Sequence, residues 1–192
     1  MDIPTDRWRD GLFSCFRFGC FHPVVLVGFF CFPVTLAQVM TRMDLTWIGD
    51  YRGSDRRVPS MTANGIRTRI FFSTFKCVMT IYIVYLVGLY IKGKLFQEMM
   101  LELPIPLFLP MSWWDFLFWV YCFVAVMKTR SYIRRKYSIP ESECHGCEDC
   151  CCAFFCLPLT ICQMARHTAD YETYRAVPCN ESGLPPSAPA IV

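Results

Sequence analysis

The sequence predicts an all-α membrane protein, a two-span helical hairpin flanked by two Cys-rich interfacial or re-entrant segments. Three observations carry that expectation. The chain is 54% apolar, 16% aromatic and only 18% charged, a balance unlike that of soluble domains. Two runs, 70–91 and 107–127, are long and apolar enough to cross a bilayer. Seven of the thirteen cysteines lie between Cys144 and Cys162, and a second apolar stretch bearing cysteine lies near the start.

Segment 1–40 reads as a Cys-rich amphipathic and re-entrant unit. Trp8, Leu12, Cys15 and Phe16 recur at helical spacing among Arg7, Arg9, Asp10 and Arg17. Such a segment lies in the headgroup layer or packs on a protein core. Asp2, Asp6 and Arg7 precede any apolar run, so no cleavable leader is expected and membrane entry falls to an internal span. Pro23 and Pro33 interrupt the apolar stretch that follows. The uninterrupted part, 24–36, is too short to cross, which points to a shallow re-entrant element covered by protein.

Segment 41–69 is an Arg-rich linker with turn chemistry at Gly53-Ser54 and Asn64-Gly65. The hairpin occupies 70–127. Lys76, the only charge of the first span, lies about 9 Å inside its start, within reach of snorkelling. Trp113, Trp114 and Trp119 enrich the second span in interfacial aromatics. Asp115 is costly there. It marks an ion path or sits at the far boundary beside the tryptophans. Its depth, about 18 Å from the inner end, makes a pair with Lys76 unexpected.

Lys128, Arg130, Arg134, Arg135 and Lys136 follow the second span with no acid among them. By the positive-inside rule both termini and both Cys-rich segments face the cytosol. The closing Cys-rich segment occupies 128–174. The tail, 175–192, carries Pro178, Pro185, Pro186 and Pro189 and is expected to be disordered.

The two Cys-rich segments share a pattern. Phe29-Phe-Cys-Phe-Pro-Val-Thr-Leu-Ala-Gln38 recurs as Phe154-Phe-Cys-Leu-Pro-Leu-Thr-Ile-Cys-Gln163, an offset of 125 residues from Cys31 to Cys156. Internal duplication is a known device of membrane proteins.

Facing the cytosol, these cysteines are expected to stay reduced. Cys144, Cys147, Cys150 and Cys151 offer four thiolates at C-x-x-C spacing, the number that tetrahedral Zn²⁺ or another soft divalent cation takes. Cys152 and Cys156 extend the set, and Cys15, Cys20, His22 and Cys31 form a sparser one at the front. The competing reading is S-acylation, which cysteines beside apolar membrane segments attract. Gln38 and Gln163, with Asp115, are candidates for an ion path, or else polar ends of interfacial helices. No nucleophile–base pattern appears, so an enzyme is not expected. A net charge of +3 with no basic stripe argues against nucleic acid.

Trp8-x-x-Gly-Leu-Phe-x-Cys15, the segment from Cys20 to Gln38, Arg130-x-x-Ile-Arg134 before Tyr137-x-Ile139, and Cys162-Gln163-x-x-Arg166 resemble the placenta-specific-eight family. That family includes cornifelin, the plant cadmium-resistance proteins and the cell-number regulators. The resemblance covers about 8–45 and 130–174 and implies a small Cys-rich membrane protein. Plant members are linked to heavy-metal or calcium handling, others to growth and differentiation. Where the plant pattern has a Cys-Pro-Cys core, this chain reads Cys31-Phe32-Pro33, and His167 stands where an acid is frequent. The expected function is binding or transport of divalent metal by an oligomer in the lipid bilayer, since two spans cannot enclose a path alone. The alternative is a non-transporting, S-acylated regulator or scaffold.

Overall fold

The computed structural model describes residues 3–14, 19, 21–52, 73–100, 109–141 and 146–188. Six helices follow one another: α1 (Pro23–Phe30), α2 (Phe32–Arg42), α3 (Thr74–Met100), α4 (Leu109–Lys136), α5 (Glu148–Phe155) and α6 (Leu157–His167). Among the described residues the extended structure is a single antiparallel bridge, Leu45 with Tyr51.

α3 and α4 contain the two stretches long and apolar enough to cross a membrane, Thr74–Leu95 and Trp113–Lys136. Both lie a few residues beyond the expected bounds. The second differs in kind, because α4 does not stop at Met127. It continues through the basic cluster and carries Arg130, Ile133 and Arg134 into the protein interior. Ile83, Val84, Leu86, Val87 and Ile91 on α3 are exposed, as are Trp113, Phe116, Leu117 and Trp119 on α4. Lipid is the natural solvent for such surfaces.

The other four helices form two bent pairs. α1 and α2 meet at 113°, α5 and α6 at 116°. The cause is local. Proline lacks an amide hydrogen, and its ring clashes with the carbonyl four residues back, so a helix cannot run through it unbroken. Pro33 and Pro158 therefore end one helix and sit in the first turn of the next, where the missing donor is harmless. The hinge residues Cys31 and Cys156 take matching backbone angles, φ −132°, ψ 46° and φ −127°, ψ 37°. Each hinge N–H closes the preceding helix, Cys31 on the Val27 carbonyl at 2.8 Å and Cys156 on the Cys152 carbonyl at 3.0 Å. Helix bounds, bend and hinge all repeat at the offset read from the sequence.

α2 and α6 form the centre. Residues 35–40 and 160–168 are buried; α6 packs on α1, α2, α4 and α5, and α2 packs on α3. The start of the expected linker belongs to this core. Leu45 is fully buried, Trp47 and Tyr51 stack on Tyr121 and Tyr132 of α4, and Gly49 turns with φ +98° against the α4 backbone. Residues 53–72 lie outside the described residues.

The tail requires correction over 175–188, which is folded rather than disordered. Val177 N–H bonds to the Gly183 carbonyl, and the Asn180 side chain donates to the Leu184 carbonyl. Gln38 donates to the carbonyls of Pro178 and Asn180. Ala176 and Leu184 are buried. Proline-rich composition does not reveal a loop whose partner is a glutamine from the opposite end of the chain.

α1 meets α6 at Gly28. A Cβ there would lie 2.3 Å from Cys162 Sγ but 3.9 Å from Cys162 Cβ. Gly28→Ala should cost roughly 1–3 kcal/mol by overpacking, read as a lower unfolding temperature in detergent. Adding Cys162→Ala should restore most of that loss, whereas additive losses would disprove the contact.

Candidate functional site

Two features dominate the described structure outside the spans, an exposed row of thiols and a buried polar cluster beneath it. Both are built on α5. Cys147, Cys150 and Cys151 are exposed. Their spacing over the first turn places them on one side of the helix. Glu148 and Asp149 point the other way, inward. They also place negative charge in the first turn, where the helix dipole favours it.

The inward side meets Arg130, which is 2% exposed. Its guanidinium donates to Asp149 Oδ1 at 3.0 Å, Glu148 Oε1 at 2.9 Å and Gln163 Oε1 at 2.5 Å. Its flat face covers the Trp8 ring, 4.6 Å from the centroid. Arg134 reaches Asp149 at 3.1 Å and Glu141 at 3.4 Å. One turn along α6 from Gln163, Arg166 pairs with Asp10 at 3.3 Å and donates to the Gly11 carbonyl. A charge this buried is tolerable only when its hydrogen-bonding capacity is met. Here one guanidinium joins α4, α5, α6 and the N-terminal segment.

Sequence reading did not find this cluster. In the sequence no acid neighbours Arg130 and Arg134, so the basic run reads as a mark of membrane orientation. The signal was the pair Glu148-Asp149, the only acids between Cys144 and Cys162.

Seven of the ten expected metal ligands lie among the described residues. Cys15, Cys20 and Cys144 lie outside the described residues. Cys31 and Cys156 are hinges of the two bends. His22 caps α1 and sits edge-on to Tyr171, 6.0 Å between ring centres. Cys152 is half-buried behind the exposed row. Among the described residues no three His, Cys, Asp or Glu side chains converge as a metal site would require.

The residues proposed for an ion path are likewise placed. Asp115 accepts from the Lys92 ammonium at 2.5 Å and from the Tyr85 hydroxyl at 3.2 Å, so its partner comes from the other end of α3, away from Lys76. The two glutamines hold terminal segments. Gln38 binds the tail as above, and Gln163 donates to the Asp10 carbonyl at 3.0 Å.

Beside Arg166 opens a cavity of about 300 Å³ lined by Arg9, Asp10, Asp170, Tyr171 and Glu172. His167 lies next to it, fully buried, past the end of the second span where it meets Tyr137 edge-on at 4.9 Å. Trp8 packs on its other side at 5.1 Å. Its Nδ1 accepts the Arg9 N–H at 3.2 Å. Burial, with the Arg9 charge adding to it, pushes its pKa down to about 4.

The family model described as the PLAC8 family matches residues 8–167. No curated protein and no solved structure matches the chain.

His167 gives a pH test. With a folded pKa near 4 against an ordinary value of about 6.5, the unfolded chain binds a proton that the folded chain excludes. Stability should therefore fall as pH drops from about 6.5 toward 4, by at most about 1.4 kcal/mol per unit from this group. The slope difference between wild type and His167→Phe should show it in unfolding midpoints. Parallel curves would mean that His167 protonates equally in both states.

Proposed function

The chain belongs to the PLAC8 family, and from that premise we propose that it is an integral membrane protein that captures soft divalent cations at the membrane surface. The observation that carries this reading is the exposed row Cys147, Cys150 and Cys151. Thiolates spaced by one helical turn suit Zn²⁺ or Cd²⁺. Cys144, which lies outside the described residues, is the fourth ligand of this proposal.

Transport is the finer version of the same proposal. Two spans enclose no path, so conduction requires several copies. Asp115, Gln38 and Gln163 already hold protein partners, which favours binding over conduction in a single copy. The matching bounds and bends of the two pairs support an origin by internal duplication. Lys128 pairs with Asp50, and Arg130 and Arg134 are neutralised. Arg135 and Lys136 remain exposed and favour both termini on the cytosolic side. The Glu181 carboxylate beside Lys76 favours the tail on that same face.

A second reading, an S-acylated regulator or scaffold, has its own support. Cys150 and Cys151 are exposed one turn above the exposed Phe154 and Phe155, a placement that suits thioester attachment at the bilayer surface.

One pair of variants separates the readings. Under metal capture, Cys144→Ser with Cys147→Ser should remove bound Zn²⁺ or Cd²⁺ from the purified protein and leave membrane association intact. Occupancy of the wild type should fall as pH drops, because thiols must deprotonate to bind. Full metal occupancy in the double variant would overturn this ligand set. A metal-free wild type whose fatty-acyl label disappears with Cys150→Ser and Cys151→Ser would establish the second reading instead.

A further inference from the structure

The two bent pairs carry an inference independent of metal binding, resting only on α3 and α4 crossing the bilayer. Each bend presents a Phe-Phe tip outward. Phe29 and Phe30 are 37% and 80% exposed, Phe154 and Phe155 51% and 77%. In a soluble protein such tips would be a liability; on a membrane protein their neighbours tell where they sit.

Those neighbours are span residues. Phe154 lies edge-on to Trp119 at 5.1 Å and to Phe123 at 6.1 Å. Lys128 marks the polar boundary of α4 through its pair with Asp50. Phe123 and Trp119 lie five and nine residues inside it, which puts the second tip about 8–13 Å deep. The first bend has its own marker. The Cys31 thiol faces the Tyr82 hydroxyl, six residues inside Lys76, or about 9 Å. Thr74, at the start of α3, donates to the Leu45 carbonyl, in the same short loop that carries Asp50, so both depths are measured from one face.

Neither pair can reach the other face. Legs of 8 and 11 residues bent this sharply span only about 16 Å end to end, against a hydrocarbon core of about 30 Å. Lys92 and Asp115 pair toward the other end of the hairpin, away from both tips. One leaflet therefore holds two spans and both aromatic tips with their flanking helices, and the other holds two spans alone.

We propose that the chain is a one-leaflet wedge that concentrates on curved phospholipid bilayers, with the leaflet nearest Lys76 and Lys128 on the convex side. Convex curvature opens gaps between headgroups, and inserting apolar side chains fills them. The unequal cross-section then lowers the cost of curvature wherever the protein gathers. The occupant of the Phe faces is lipid: through Trp119 and Phe123 the Phe154 face is continuous with the lipid-facing side of α4, and the exposed Phe29 and Phe30 flank the hinge that sits at a similar depth on α3.

Synthesis of the full-length chain in a cell-free extract tests this, since insertion from outside leaves the basic face on the outer, convex leaflet. Phosphatidylcholine vesicles of about 50 nm and about 400 nm compete at equal lipid area. Wild type should favour the small vesicles about threefold or more per unit of lipid. Replacing Phe29, Phe30, Phe154 and Phe155 with Ser should bring the ratio to parity, while resistance of both spans to alkaline extraction shows that insertion persists. Equal partition of wild type, or a preference that survives in the inserted variant, would overturn the proposal. So would disulfide crosslinking between copies through Phe155→Cys in large vesicles, which would assign the tip to a second copy.

Discussion

The structure depends on one buried charge. Arg130 lies beyond the apolar part of a spanning helix, where its sequence neighbours suggest a solvated basic cluster, yet it is almost wholly enclosed. A guanidinium without water must have its donors occupied, and the donors point in fixed directions. Glu148, Asp149 and Gln163 meet them, and Trp8 covers the face. That requirement sets where α5 begins, how α6 is turned about its axis and where the N-terminal segment crosses. It also turns the hairpin from two isolated spans into the support for both bent pairs.

The repeated glutamines extend the same logic. Gln163 holds the N-terminal segment and Gln38 holds the C-terminal loop, each through a side-chain amide donating to backbone carbonyls. A proline-broken helix pair buries the polar face of its second helix, and an irregular segment lying across that face needs partners for its backbone groups. One device met twice accounts for the most regular feature of the sequence. Asp115 follows the same rule at the opposite end, where Lys92 and Tyr85 share its cost. Each polar group that suggests a passage also has a partner within the protein.

Much of this was legible in the sequence because its causes are local. Pro33 and Pro158 announce the breaks, the length of the apolar runs announces the spans, and the recurrence from Phe29 to Gln38 announces that the two breaks are alike. The partners of Arg130 were not legible, since the acids that neutralise it come 18 residues later and inside a cysteine motif that drew attention to its sulfur. The fold of 175–188 was hidden for a related reason. Composition reports what a segment can do alone, whereas Gln38 supplies its hydrogen bonds from the far end of the chain. The thiol row was visible as a pattern, but only the geometry of α5 divides Cys147, Cys150 and Cys151, which face outward, from Cys152 and Cys156.

The most direct measurement is a mutant cycle on the buried cluster, read by chemical unfolding in detergent. Arg130→Met alone should lose about 3–5 kcal/mol, because Glu148 is left buried without its cation and Asp149 keeps only Arg134. Glu148→Gln with Asp149→Asn should lose a comparable amount by stranding the guanidinium. The triple variant should lose clearly less than the sum, with a coupling of at least about 1 kcal/mol. Additive losses would contradict the account, since they would mean that Arg130 and the two acids stabilise the fold separately.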